Sequence, residues 1–441
     1  MHTDHNKKAL SGEAALQAAF PCKKLMILGG SNCQLHALQR AKERGLVTIL
    51  ADYTDTPPGA EYADVHLKIS TFDSRACIQA AHLEQADGVL CVGTDQPVYT
   101  AAKIAHELHL PSALTVEEAF SVTNKRRMKE LYLAAHIPAP ASLLLTADGH
   151  FLTMDGNTCD CTLTPPYVIK PLDAQGQRGV FKVSSITELL TLLPEVLSYS
   201  AEEICLVEEY YESDEITVSG WIKNGILHPF SIVDRIHYPD DVHIGVCTGH
   251  RYPSIHIDDA DEILALSRQV ARVFGLTEGP FYFQLMHGAD GLKAGEVACR
   301  IGGAFEDVTI ERLFHFPILD HAIDASLGAD TVPDDLPIVY TPPKERAFVL
   351  LLFCRPGRIA SVTPHETLLS LPFVADCGYN YRVGDEIPLM QNATARFGHA
   401  VLFGDEDTIA SHVRTFFETL IVADEAGDNL LLTELIDSRY L

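Results

Sequence analysis

Several separated stretches of this chain carry side chains suited to handling a phosphate. Lys125 stands in Thr123-Asn124-Lys125-Arg126-Arg127-Met128-Lys129, at the start of a helical pattern, and Lys170 ends the apolar stretch Tyr167-Val168-Ile169-Lys170-Pro171. A lysine at the end of a strand is a compact cation on a fixed base, which suits a phosphate oxygen. Asp173-Ala174-Gln175-Gly176-Gln177-Arg178-Gly179-Val180 follows at once. Gly176 and Gly179 let backbone N–H groups converge on an anion, and Arg178 can add charge-assisted bonds. Further on, Val207-Glu208-Glu209-Tyr210 closes an apolar run, with Glu215 seven residues past Glu208. The last stretch is Gly295-Glu296-Val297-Ala298-Cys299-Arg300-Ile301-Gly302-Gly303, in which Glu296 and Arg300 are four residues apart. On one strand that spacing puts both side chains on the same face. A carboxylate beside a guanidinium suits a divalent cation next to a phosphoryl group, with Glu296 on the metal and Arg300 on the transferred charge. Singly, each feature is ordinary: surface lysines, a hairpin connection, a Glu–Arg contact in a sheet. Their fixed order gives them weight together.

The elements that must position these residues fall into distinct patterns. Residues 24–112 alternate strand and helix: strands at 25–28, 47–50 and 88–92, helices at 34–44, 73–83 and 98–108. Such βαβαβα order implies a parallel sheet with helices on both faces. Beyond residue 113 come helices at 116–120 and 125–136, then strands at 167–170, 204–209 and 215–222, with the hairpin turn Asn224-Gly225. An amphipathic helix is expected over 258–274, acidic in its first turn and stopped by Gly275, followed by a strand pair at 282–286 and 295–299. A Pro-rich stretch from Pro333 to Pro343 precedes a final mixed region with a strand at 347–353 and a helix at 407–417. The expected domains are an extension at 1–22, with a short helix over 13–20, an α/β domain at 23–114, a two-lobed domain at 115–332 and an α+β domain at 333–441.

Composition narrows the function. The chain has 441 residues, 47% hydrophobic and 21% charged, enough apolar mass for more than one core. Its formal net charge of −27 disfavours nucleic acid and anionic lipid as partners. The longest apolar run, Ala347 to Cys354, is far short of the roughly 20 residues a spanning helix needs, so no membrane segment is expected. Scattered cysteines fit a reducing, cytoplasmic setting. Gly29-Gly30-Ser31 with Asp52 invites a dinucleotide reading, but Ser31 and Gln34 stand where that fingerprint requires glycine. His106-Glu107-Leu108-His109 has the wrong spacing for a zinc helix, and Cys159-Asp160-Cys161 has no second pair.

The ordered set (helix lysine, strand Lys-Pro, Gly-rich loop, Val-Glu-Glu, then Glu-x-x-x-Arg-x-Gly-Gly) resembles the ATP-grasp superfamily across roughly residues 22–441. Gly93-Thr94-Asp95 with Leu110-Pro111, and Ile137-Pro138-Ala139-Pro140 with His136 where glycine is usual, are similar to its entry motifs. Within the superfamily the chain looks most like carboxylate–amine ligases of the L-amino-acid-ligase type, an impression to which Pro356-Gly357-Arg358-Ile359 and Gly384-Asp385 contribute.

The resemblance implies an ATP-grasp fold between an N-terminal parallel-sheet domain and a C-terminal α+β domain. Its substrates would be ATP with Mg²⁺, a small carboxylate and an amine. Lys125 and Lys170 would contact phosphates, and Gly176 to Gly179, with Arg178, would fold over them. Glu208, Glu209 and Tyr210 would read the adenine, and Glu215 would bind the ribose. Glu296 would hold the metal and Arg300 would stabilise the phosphoryl group. Two positions depart from the family pattern: Gln284 stands where an acidic metal ligand is usual, and Ala298 where an asparagine is. Glu306 or Asp307 could supply the missing oxygens, and His243, His250 and Arg251 could face the amine. The resemblance allows a homodimer, which no residue singles out. Two competing readings share the fold: a non-catalytic ATP-binding regulator, and a purine- or carboxylase-type enzyme.

Overall fold

The computed structural model describes residues 22–239 and 244–441. The expected helix at 13–20 and His243 lie outside the described residues. The described residues form two compact units, one from 22–119 with 317–334 and the other from 120–239, 244–316 and 335–441.

In the first unit β1 (Lys24–Leu28), β2 (Val47–Ala51), β3 (Val65–Leu67) and β4 (Gly88–Leu90) make a parallel sheet in the order β3-β2-β1-β4. Helices Asn32–Glu43, Ser74–Glu84 and Gln96–Leu108 alternate with the strands. β3 was not expected; three residues are too few to show a period. Ser31 and Gln34 form a reciprocal capping box, and Gln34 Nε2 donates to the Val92 carbonyl at 2.9 Å. Asp52 is occupied too, accepting the Gly30 N–H at 2.8 Å.

Helix Ile318–Ser326 joins this unit from far along the chain, so residues 317–334 do not go with the middle domain in which they were expected. Asp320 pairs with Arg40 and, at 3.3 Å, with Arg44; Arg44 also reaches Asp324. Gly88 makes the approach feasible, because a Cβ there would sit 2.2 Å from the Ser326 carbonyl oxygen.

The second unit contains two main sheets. One is five-stranded, β6-β5-β9-β7-β8, built from β5 (Ser142–Thr146), β6 (Phe151–Leu152), β7 (Tyr167–Pro171), β8 (Phe181–Val183) and β9 (Ile204–Glu209). Helix Ile186–Leu197 buries Leu189, Leu193 and Val196 with Ile169 and Val207 of this sheet. The other is eight-stranded, β14-β13-β10-β11-β12-β15-β20-β18. Its first members are β10 (Ser213–Lys223), β11 (Ile226–His237), β12 (Cys247–Tyr252), β13 (Gly279–Gly288), β14 (Gly291–Ala298) and β15 (Arg346–Leu352). β18 (Val374–Tyr379) and β20 (Gly398–Gly404) complete it, while β16 (Gly357–Arg358) with β19 (Glu386–Ile387) and β17 (Ser361–Val362) with β21 (Val422–Ala423) form two separate two-stranded sheets.

Asn224 and Gly225, at φ +52° and +74°, turn β10 into β11, as a two-residue hairpin requires. Helix Ala260–Val273 buries Ile263, Leu266 and Val270. β12 pairs with β15, so the large sheet runs unbroken past the boundary expected at residue 333. The proline-rich stretch follows helix Ile318–Ser326 of the first unit and leads into β15. Among the described residues no helix is long and apolar enough to cross a membrane.

Candidate functional site

The site is built where helix Lys125–Ala134, the small sheet and the edge of the large sheet meet within the second unit. Asn124 caps that helix by accepting the Arg127 N–H at 3.1 Å, and its own amide donates to Glu202 at 2.9 Å. The Lys125 N–H donates to the Leu172 carbonyl, fixing the helix start against the end of β7. Lys125 and Lys129, one helical turn apart, therefore face the same way. On β7, Val168 is the register partner of Glu208 on β9, so Lys170 is a diagonal neighbour of Glu208 on one face. Glu296 sits on β14 at an irregularity between the pairs Phe283/Val297 and Leu285/Ala294. Such a bulge re-aims a side chain. Gly295 permits it, since a Cβ there would lie 2.8 Å from the Gln284 carbonyl oxygen.

These pieces bring three lysines and two carboxylates together. Lys125 Nζ lies 3.4 Å from Glu296 Oε1, and Lys170 Nζ lies 4.0 Å from the same oxygen. Lys170 Nζ is 2.5 Å from Glu208 Oε2, and Lys129 holds the other Glu208 oxygen. Lys125 also donates to the Ala174 carbonyl at 3.0 Å, where the glycine loop begins. Burial opposes charge on Glu208, but Lys129 and Lys170 outweigh it and hold the carboxyl down to about 2. Burial likewise opposes ionisation of Glu296, and Lys125 and then Lys170 overcome it. For Lys170 burial is outweighed by Glu208 and Glu296, which keep its ammonium above the usual range; burial pulls Lys129 below it. Three cations against two anions leave an excess positive charge, which an incoming polyphosphate would neutralise.

The loop after β7 holds Gly176, Gln177 and Gly179 at φ +70°, +61° and +71°. Gly179 cannot carry a Cβ, which would come 2.8 Å from the Tyr199 ring. Arg178 Nε donates to the Gln175 carbonyl, tying the loop to itself.

The other expected residues are placed as follows. Glu208 points at the lysines. Glu209 instead accepts the Thr164 N–H at 2.7 Å, and the Tyr210 N–H donates to the Pro166 carbonyl at 2.8 Å. Glu215 is gripped by Arg235 at 2.6 Å and His237 at 2.8 Å. Against the cost of burial, His237 and then Arg235 keep its carboxyl down to about 2. Gln284 is half-buried on β13, beside the Glu296 bulge.

Arg300 differs from the expectation that it shares a strand with Glu296. β14 ends at Ala298, and the chain then bends toward Gly302-Gly303. Arg300 is buried and lies 4.5 Å over the Tyr282 ring. Glu306 is also buried; Oε2 accepts the Ala304 N–H at 2.9 Å, and Oε1 lies 3.9 Å from His250 Nδ1. Burial pushes the Glu306 carboxyl up to about 7 and lowers His250 to about 3. Arg251 faces the chain end, donating to the Tyr440 carbonyl at 3.0 Å. Asp307 stands in the first turn of helix Glu306–Phe314.

Lys129, Arg235 and His237 were not singled out from the sequence. Their signals were present: a four-residue spacing from Lys125, and alternation along one strand face.

No family model matches the chain. It is similar to the L-arginine-specific L-amino acid ligase of Bacillus subtilis, 25% identical over 288 residues, covering 63% of this chain and 66% of that protein. It is also similar to dapdiamide A synthase of Enterobacter agglomerans, 22% identical over 244 residues, covering 50% and 53%. The alignments thus span less than two thirds of either relative. In three dimensions it matches the L-amino acid ligase of Bacillus licheniformis with a TM-score of 0.75 at 16% identity, over 92% of this chain and all of that one. The fold is ATP-grasp. Among ATP-grasp proteins, the chain's named sequence relatives are an L-amino-acid ligase and dapdiamide A synthase.

Proposed function

We propose that the chain is an ATP-dependent carboxylate–amine ligase. One observation carries the reading: Lys125, Lys170 and Glu296 converge from three separate stretches, at 3.4 and 4.0 Å, beside a glycine loop. Lys125 and Lys170 bind the phosphates, and the 176–179 loop covers them and excludes water. Glu208, Glu209 and Tyr210 border the adenine end, Glu208 through its hold on Lys129 and Lys170.

The residues fit a magnesium ion carried in on the nucleotide. Magnesium is commonly held by one or two carboxylates plus substrate phosphates, and Glu296 is an ionised carboxylate with the Gln284 amide on the adjacent strand. Ala298 offers no donor. Glu296, helped by Gln284, would hold the ion, which when bound neutralises phosphate charge.

The reaction has two steps. An oxygen of the substrate carboxylate attacks the γ-phosphorus, and the bond to ADP breaks, giving an acyl phosphate. The amine nitrogen then attacks the acyl carbon, the carbon–oxygen bond to phosphate breaks, and the nitrogen loses a proton. Arg300 stabilises negative charge on the phosphoryl group and then on the tetrahedral oxygen.

The test is ADP and phosphate release against mixed acid and amine libraries, with the condensed product confirmed by mass. Release that requires both classes supports the reading; phosphate at background for every pair overturns it. The absence of a second carboxylate at Gln284 and Ala298 favours one rival, a nucleotide-binding regulator. Calorimetry showing tight ATP–Mg²⁺ binding with no turnover would select it.

A further inference from the structure

We propose that His256, Asp259 and His287 form a binding site for a transition-metal dication of the zinc class, separate from the nucleotide site and independent of the ligase reading. The three side chains come from two stretches: His256 precedes the short turn Ile257–Asp259 and Asp259 ends it, while His287 lies near the end of β13. One ligand atom from each lies within 4.8 Å of the other two. The two imidazole rings stack at 4.1 Å with 24° between their planes.

The surroundings hold these groups in place. Asp214 on β10 is the register partner of His287 on β13. Asp214 Oδ2 lies 2.8 Å from His256 Nε2, and Asp259 Oδ2 lies 2.8 Å from His287 Nε2. Asp214 is itself fixed by Arg439 at 2.7 Å and by the Tyr440 hydroxyl at 3.3 Å. The loop carrying His256 is pinned from behind: the Ile255 N–H donates to buried Asp234 at 2.9 Å, and the His256 N–H donates to Ser254 Oγ at 3.0 Å. A carboxylate that orients a ligating histidine and raises its basicity is the usual support of a protein metal site.

Donor chemistry selects the ion. Two imidazoles and one carboxylate suit zinc, copper or nickel, whereas magnesium and calcium take oxygen donors. Zinc bonds of roughly 2 Å in a tetrahedral site put ligand atoms roughly 3.3 Å apart, so on binding the wider separations close by up to roughly 1.5 Å while the Asp259–His287 pair, at 2.8 Å, opens slightly. All three are partly exposed and can do so. The bound ion joins β13 to the turn before helix Ala260–Val273, with Asp214 linking it to the C-terminal residues.

The test is zinc titration of the chelator-stripped full chain by calorimetry, in excess magnesium and a nonhydrolysable nucleotide so that the nucleotide site is filled. Wild type takes up one equivalent that His287→Gln and Asp259→Asn lose or bind roughly 100-fold more weakly, while Asp214→Asn weakens it roughly 10-fold. Unchanged stoichiometry and affinity in the first two variants overturn the proposal. Should those variants not fold, electron paramagnetic resonance of the wild type with one equivalent of copper decides: nitrogen splitting from two imidazoles is expected, and splitting from one or none overturns it. All 11 cysteines are free, so cobalt is the control, and thiolate charge-transfer bands in its spectrum would also overturn the site.

Discussion

Lys125 Nζ lies 3.4 Å from Glu296 Oε1, although one begins a helix near the front of the second unit and the other sits on an edge strand far along the chain. A surface ion pair at that distance would be worth little. Here Glu296 also faces Lys170 at 4.0 Å and Lys125 also donates to the Ala174 carbonyl at the glycine loop, so the contact marks the centre of a site. Glu296→Ala removes the carboxylate proposed to meet the metal, and turnover is expected to fall at least 100-fold with the fold intact. Lys170→Ala removes a charge-assisted phosphate bond worth about 1.5–3 kcal/mol, so nucleotide affinity drops roughly 10- to 100-fold. ADP-release assays and calorimetry with a nonhydrolysable nucleotide check both. Full activity in both variants would mean that the site lies elsewhere.

Glu208 has a structural task that its place in the Val-Glu-Glu motif did not reveal. It is buried and neutralises Lys129, which is buried as well. Taking one member from a buried pair leaves an uncompensated charge and costs about 3–5 kcal/mol. Glu208→Gln is therefore expected to lose stability of that order in urea denaturation. The double variant Lys129→Met with Glu208→Gln recovers part of it, because the Lys129 charge is gone and Lys170, which also loses Glu208, keeps Glu296 at 4.0 Å. A double variant no more stable than Glu208→Gln would show that the pair is not what Glu208 supports.

Much of this arrangement could be read from the sequence, for physical reasons. Lys170 and Glu208 each end a run of apolar residues, and β7 and β9 extend close to where those runs stop. The glycines at 176 and 179 take positive φ, the conformation for which glycine is suited. Long-range pairing was not legible. That Glu215 is held by Arg235 and His237 follows from the β10–β11 register, in which Glu215 is opposite Arg235, and single-sequence patterns do not fix register. Arg300 was misplaced because the strand period was extended past Ala298, where the backbone bends. Residues 317–334 were misassigned because the ion pairs of Arg40 and Arg44 with Asp320 and Asp324 join stretches that no local pattern connects.

His136 replaces a usual glycine, and the backbone shows why glycine suits the position. Its φ is +53°, just past the end of helix Lys125–Ala134, where the Ile137 N–H returns to the Tyr132 carbonyl at 2.9 Å. That closure requires a left-handed residue, which costs a side-chain-bearing residue about 1 kcal/mol relative to glycine. His136→Gly should raise stability by about 1 kcal/mol, read as a higher urea midpoint with an unchanged slope. A lower midpoint would mean that the imidazole makes a compensating contact.

Glu306 predicts a pH dependence whose sign is opposite to that of the paired carboxylates. Burial raises its pKa from 4.5 to about 7 in the folded chain, outweighing the pull of Arg300. Below about pH 4.5 the group is protonated whether the chain is folded or not, and folding incurs no penalty from it. As pH rises the unfolded chain ionises first, so stability falls until the folded group ionises near pH 7, and then levels off. A shift of that size corresponds to about 3 kcal/mol. Glu208 and Glu215, held down to about 2, act in the other direction: their stabilisation is present above about pH 4.5 and is lost as pH falls toward 2. Glu306→Gln keeps an acceptor for the Ala304 N–H and removes the titration. The variant should therefore gain on wild type by up to about 3 kcal/mol between pH 5 and pH 8. Denaturation curves of the two proteins that stay parallel across that interval would show that Glu306 is already ionised when the chain folds.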